Sequence, residues 1–233
     1  MSNENEPSSG RRPGARGAQV YHALVERIRN GEFKRGVRIR EEEVAAMLDV
    51  SRTPVREAFA RLQARGLLEA SAGGLSIAQL NRPQVIELYA MRAKLEAAAA
   101  GFAAENASAT EIFGLRHMAE LFEAESSGEA ATLARANRLF HEAIYEAAHN
   151  RYLLKMLEDL NDSLALLPET TFALPDRAPE ARDEHRAIVE AIVARQPAKA
   201  EAAASEHILK ALSARLKLLF SMDPQKTAFS HNV

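Results

Sequence analysis

The chain of 233 residues carries seven histidines and no cysteine. Any metal it binds must therefore be held by imidazole nitrogen and oxygen. Three histidines fall in the middle of apolar stripes, where a polar group is costly unless it is partnered. His141 follows Asn137 by four residues, about 40° around a helical wheel, with Ala130, Leu133, Ile144 and Ala148 on the same face. His185 lies among Ala181, Ile188, Val189 and Ile192. His207 sits on a face of small residues (Ala200, Ala203, Ala211, Ala214), while a second face of the same segment carries Leu209, Leu212, Leu216 and Leu219. A small-residue face leaves room for a ligand. Three inward imidazoles and one amide oxygen are a ligand set for Zn²⁺ or Ni²⁺. The same pattern also describes ordinary hydrogen-bonded core histidines. His117, beside Phe113 and Leu121, shows how readily such placements arise.

Arg92 is a further polar residue on an apolar stripe, among Val85, Leu88, Leu95, Ala99 and Phe102. A buried guanidinium needs an anion. Glu96, one turn on, is one partner, and a bound carboxylate is the other. A metal with an open position could also activate water, which makes a metal-dependent hydrolase or isomerase the rival from another class. That reading lacks a general base: Glu142 and Glu184 adjoin His141 and His185 in sequence but point about 100° off the ligand face.

The second chemically suggestive set is cationic. In VSRTPVREAFARLQARGLLE, residues 50–69, Val55, Ala58, Phe59 and Leu62 share one helical face while Arg52, Thr53 and Arg56 lie beside it. Ser51 or Thr53 can cap this helix, Pro54 fits its first turn and Gly66 ends it. The N-terminal turn of a helix can enter the DNA major groove, where Arg donates two hydrogen bonds to guanine and Ser or Thr meets phosphate. Charge is distributed to match. Residues 1–80 hold 13 Lys and Arg against 10 Asp and Glu, whereas residues 81–233 hold 17 against 22. Only the first third is suited to a polyanion.

The elements that must position these residues follow from periodicity. Residues 1–17 read as a disordered arm. Val20, Leu24 and Ile28 mark a first helix, a second spans about Glu41 to Leu48, and the arginine helix is the third. LLEASAGGLSIAQL then reads as a β-hairpin around Gly73-Gly74. Three helices and a hairpin over 18–80 describe a winged helix-turn-helix, with Gly73 at the tip touching flanking DNA. Asn81-Arg82-Pro83 is a linker-like break. Ala- and Leu-rich amphipathic segments follow at 83–105, 108–126, 129–148, 150–166, 178–194 and 197–221. They form an all-α antiparallel bundle over 81–222, before a frayed tail at 223–233. The fold expected is mainly α. No apolar run reaches the ~18 residues of a membrane span, no signal peptide is visible, and a cytoplasmic protein is the expectation.

The stretch GEFKRGVRIREEEVAAMLDVSRTPVREAFARLQARGLLE resembles the winged-helix domain of GntR-type transcription regulators, with SRTPVREA its most specific core. MRAKLEAAAAGFAAENA, NRLFHEAIYEAAHN, EHRAIVEAI and the His207 helix are similar to the effector-binding FCD domain of the FadR subfamily. The resemblance covers about residues 18–221. It implies a transcription regulator rather than an enzyme: a repressor that binds operator DNA and is controlled by a small organic acid. One recognition helix reads only a few base pairs, so a homodimer on two half-sites is expected. The family's divalent metal, bound by Asp or Asn and three His beneath the acid pocket, falls on Asn137, His141, His185 and His207. The Arg of its first effector-domain helix falls on Arg92. Asn137 stands where Asp is usual, which removes a charge and weakens metal affinity. Glu42 stands where some relatives place a phosphate-contacting Arg. DNA contacts therefore rest on Ser51, Arg52, Thr53 and Arg56, with Arg38 and Arg40 as backbone partners. A regulator in which the metal itself is the signal is the remaining alternative.

Overall fold

A computed structural model of the protein describes residues 13–71, 73–125 and 128–222. The chain divides into two compact units, one of residues 1–80 with 161–168 and one of 81–160 with 169–233.

The first unit is a winged helix-turn-helix. Helix α1 runs Pro13–Arg29, so residues 13–17, expected in the arm, are helical; the rest of that arm lies outside the described residues. Helix α2 (Glu41–Leu48) gathers three Glu in its first turn, where the helix dipole favours them. It ends at Asp49 in a left-handed conformation (φ 51°), the turn that redirects the chain into α3 (Arg52–Ala64). Ser51 occupies the N-cap position of α3 without a side-chain cap bond. Gly66, at φ +71°, stops α3 in a backbone conformation that few other residues adopt. The wing has three strands instead of the two expected. β2 (Leu68–Ser71) and β3 (Gly74–Ile77) form the hairpin, and β1 (Arg38–Ile39) pairs antiparallel with β3 to give the order β1-β3-β2. Two residues of strand are too short to leave a periodic signal.

The core of this unit joins Tyr21, Leu24 and Ile28 of α1 to Val44 of α2, Val55, Phe59 and Leu62 of α3, and Leu67, Leu68 and Ile77 of the wing. Ala165 and Leu166 belong to it too. Residues 161–168, expected in the bundle, belong to the first unit. Asp162 accepts hydrogen bonds from Tyr21 and Arg65, and Arg35 donates to the carbonyls of Leu166 and Leu167.

The second unit holds α4 (Arg82–Asn106), α5 (Ala109–Ala124), α6 (Ala130–Ala147), α7 (Arg151–Leu164, whose last turn lies in the first unit), a 3-10 turn (Thr171–Ala173), α8 (Arg177–Val193) and α9 (Pro197–Met222). The linker-like Asn81-Arg82-Pro83 is in fact a helix start. Asn81 Oδ1 accepts from the Gln84 backbone and Gln84 Oε1 accepts from the Asn81 backbone, a reciprocal cap. Ser108 and Glu111 repeat the device at α5. Alanines at 99, 100, 103 and 104 of α4 and at 200 and 204 of α9 are buried. Small side chains on both helices permit close approach. On α9 the small face carrying His207 is the buried one, and Leu209, on the second apolar face, is half exposed. The tail expected to fray lies outside the described residues.

Candidate metal centre and nucleic-acid interface

In the first unit, burying Val55, Ala58, Phe59 and Leu62 fixes the rotation of α3. Ser51, Arg52, Thr53 and Arg56 are thereby left exposed together on its first turns. Both arginines reach back to α2. Arg52 lies 2.9 Å from Glu42 Oε1 and 3.3 Å from Glu41 Oε2, and Arg56 lies 3.5 Å from the same Glu41 oxygen. Glu41 and Glu42, which sequence reasoning did not connect to these arginines, are their ion-pair partners. Arg40 is exposed 3.6 Å from Glu43. Arg38, on β1, lies across the hairpin tip. A side chain at Gly74 (φ +128°) would place its Cβ 3.2 Å from Arg38 Nε, so Gly73-Gly74 keeps the tip open to that guanidinium. Arg38 and Gly73 are brought together at the wing, and the four α3 residues form a separate group.

In the second unit, α6, α8 and α9 each contribute one histidine. His141, His185 and His207 are all buried, and one ring nitrogen from each lies within 4.8 Å of the others. His141 Nε2 is 3.1 Å from His207 Nε2. His185 stacks on Phe140 at 4.2 Å between ring centres and meets Phe122 edge-on at 4.7 Å. Neither His185 nitrogen has a hydrogen-bond partner, and neither does the buried Oδ1 of Asn137, one turn before His141. Core histidines of the ordinary kind are hydrogen-bonded. His185 is not, and a cation would supply the partner that its nitrogens and the Asn137 oxygen lack.

The charges around the histidines are paired within the bundle. Arg92 is buried and its Nε donates to Glu96 Oε1 at 2.9 Å, so its anion is resident in the bundle. Glu96 Oε2 is in turn 2.7 Å from His141 Nδ1. Burial opposes the charge on Glu96, yet Arg92 and His141 hold it well below the usual carboxylate range. Glu184 does not point away from the site. It is buried on α8 and lies 2.6 Å from Nδ1 of His207, on the neighbouring helix. Arg177, 2% exposed, clamps Glu184 through two hydrogen bonds. Glu142, by contrast, is exposed. Burial, then the neighbouring imidazoles and Arg177, push His185 and His207 well below the ordinary histidine range. Both are neutral near pH 7, the form that coordinates metal.

Arg177 and Glu184 are seven residues apart, two turns on one face of α8, and that spacing was readable. The reach of Glu184 to His207 on another helix was not. Beside this cluster, a cleft of about 540 Å³ between α8 and α9 is lined by Glu184, Ala203, His207, Lys210 and Ala214 among others.

The family described as bacterial regulatory proteins, gntR family, matches residues 16–74, and the FCD domain matches residues 87–210. The chain belongs to the GntR family. It is a DNA-binding transcription regulator with an FCD domain. Among its relatives, the uncharacterized HTH-type transcriptional regulator YdhC of Bacillus subtilis is 35% identical over 82% of this chain and 85% of its own length. The probable D-xylose utilization operon transcriptional repressor of Paenarthrobacter nicotinovorans is 34% identical over 84% and 87%. In fold, the chain is similar to McbR/YncC of E. coli, with a TM-score of 0.78 at 24% identity over 88% of this chain and 98% of that one. These GntR relatives are transcription regulators, which removes the hydrolase alternative. No helix among the described residues is long and apolar enough to cross a membrane.

Proposed function

We propose that this regulator is a homodimeric repressor whose operator affinity is set by a small organic acid bound beside a divalent metal. The observation that carries the reading is the trio His141, His185 and His207, buried with their nitrogens converging while the His185 nitrogens and Asn137 Oδ1 lack a hydrogen-bond partner. Asn137, His141, His185 and His207 hold the ion, Zn²⁺ or Ni²⁺ by donor type. Ser51, Arg52, Thr53 and Arg56 read the operator, with Arg38, Arg40 and Gly73 on the backbone. The repressor sense is supported by the name of the Paenarthrobacter relative.

Charge balance favours an acid over the metal alone as the signal. The buried ions around the histidines pair off as Arg92 with Glu96 and Arg177 with Glu184. Four neutral donors add nothing, so the ion's two charges call for a further anion. A di- or hydroxy-carboxylate supplies it, meeting the metal and the Nη groups of Arg92, whose Nε is engaged by Glu96.

Calorimetric titration of metal-loaded protein with small carboxylates, beside operator binding with and without each acid, tests this. Arg92→Ala is expected to retain the metal, lose the acid-induced rise in melting temperature and stay on the operator when acid is added. Equal acid affinity in the variant and the parent chain would remove Arg92 from the site. Metal analysis of protein purified without chelator is expected to give about one ion per chain. Its absence, with melting unaffected by EDTA, would leave the histidines as core residues.

A further inference from the structure

The donor set leaves open what decides which nitrogen of each imidazole faces the ion. A neutral imidazole has one N–H and one lone pair, and the partner of the first fixes the direction of the second. At His207 that partner is unambiguous. Nδ1 is 2.6 Å from Glu184 Oε2, and a carboxylate can only accept, so Nδ1 carries the proton. Arg177 Nη2 is 3.4 Å from the same nitrogen but is itself a donor, and so does not contest the assignment. Nε2 is left with its lone pair, facing His141 Nε2 at 3.1 Å. Glu184 cannot swing away from this duty. Arg177 Nη1 and Nη2 grip its two oxygens at 3.0 and 2.7 Å, and all three side chains are buried.

Resting on the metal reading above, we infer that Glu184, clamped by Arg177, is a positioning residue for His207: it locks the tautomer that offers Nε2 to the metal and raises the basicity of that nitrogen. The chain Arg177–Glu184–His207 is the carboxylate–histidine–metal arrangement in which the outer carboxylate commonly governs affinity. His185, stacked on Phe140 and without a hydrogen bond, has no such support. The ligands are therefore unequal, with His207 the better donor and His185 the weaker. The outer pair also explains why a full guanidinium–carboxylate couple is retained inside an apolar bundle, where it contributes little net stability of its own.

Removing one partner alone would strand a buried charge and confuse stability with binding, so both charges are removed together. The double variant Arg177→Met with Glu184→Leu loses the clamp and the acceptor. Arg177→Met with Glu184→Gln keeps a neutral acceptor for Nδ1–H. Each full-length chain is stripped of metal and titrated with Co²⁺ against a chelator, well below its melting temperature, while the visible absorption of the bound ion is recorded. The Leu variant is expected to bind Co²⁺ about 10–100-fold more weakly, with an altered absorption band, and the Gln variant to recover most of the loss. A purely structural role predicts lower melting temperatures with parental affinity and spectrum in both, and that result overturns the inference. A second measurement needs no variant. Long-range ¹H–¹⁵N NMR of the metal-free parent chain should show His207 protonated at Nδ1, and the opposite tautomer overturns the inference even if neither variant folds. If the parent chain takes up no Co²⁺ at all, the metal reading itself has failed, which the titration of the parent shows before any variant is made.

Discussion

The arginines of the two units live in opposite surroundings. Arg52 and Arg56 of the first unit stand in solvent, loosely engaged by Glu41 and Glu42. Arg92 and Arg177 of the second are buried, and each is bound to a buried carboxylate, Glu96 or Glu184. A charge in water can exchange an acidic side chain for a phosphate or a guanine at little cost, so the first pair can be released to DNA. A charge in an apolar bundle has no such freedom, because losing its partner leaves it uncompensated. The same side chain is thus free to exchange partners in one unit and a fixture in the other.

The comparison is broken most severely inside the bundle. Glu96→Ala leaves Arg92 buried without its anion and should cost about 3–5 kcal/mol in urea unfolding of the metal-free chain. A loss under 1 kcal/mol would mean that water or another acid reaches Arg92. Next comes metal: with the ion at a thousand times its Kd, metal-loaded protein should gain about 4 kcal/mol over stripped protein. His185→Ala should abolish that gain in a melting scan, and Asn137→Asp should enlarge it by restoring a negative charge next to the cation.

In the first unit the effects should appear in binding instead of folding. Arg52→Ala or Arg56→Ala should weaken operator binding by about 1–3 kcal/mol where the residue reads a base. If the contact is to phosphate, the salt dependence flattens instead. The double variant binding like the parent chain would remove α3 as the reading element. Neither change should shift the melting temperature by more than about 4 °C, because exposed ion pairs contribute at most about 1 kcal/mol.

The smallest effect sharpens the contrast at a partly exposed carboxylate of the second unit. Ser108→Ala should cost about 1 kcal/mol by uncapping α5. Hydrogen bonds from Ser108, with His149 beside it, hold Glu111 down to about 2 from an ordinary 4.5. Its folded-state value is depressed, so its contribution is complete above 4.5 and fades as pH falls toward 2. The stability gap between the parent chain and Glu111→Gln should therefore close on acidification over that window. A gap that stays constant would show that Glu111 acts without its charge.

Much of this was legible in the sequence because it is set within single helices. The apolar period placed every bundle helix within two residues of its ends. The Val55, Phe59 and Leu62 face determined which side of α3 the arginines occupy. Asn137 and His141 share a face for the same reason, and so do Arg92 and Glu96. What escaped depends on neighbours distant in sequence. Glu184 lies about 100° from His185 on its own helix, which excludes it from that ligand face but not from His207 on the next. His117, Phe113 and Leu121 read like a buried stripe, yet all three are exposed. Only packing distinguishes them from the His141 stripe. Asn81-Arg82-Pro83 looked like a linker because cap residues and loop residues are the same types.

The return of residues 161–168 to the first unit has a consequence for biosynthesis. A fragment ending at Leu80 contains every element of the DNA-binding unit but lacks Ala165 and Leu166 from its core and Asp162 from Tyr21 and Arg65. As the chain emerges from the ribosome, the part made first must wait for the part made later. At usual synthesis rates that interval is of the order of ten seconds, during which the apolar side chains that will meet Ala165 and Leu166 have nothing to cover them. The nascent chain therefore cannot complete the core of its winged-helix unit until Ala165 and Leu166 have been synthesised.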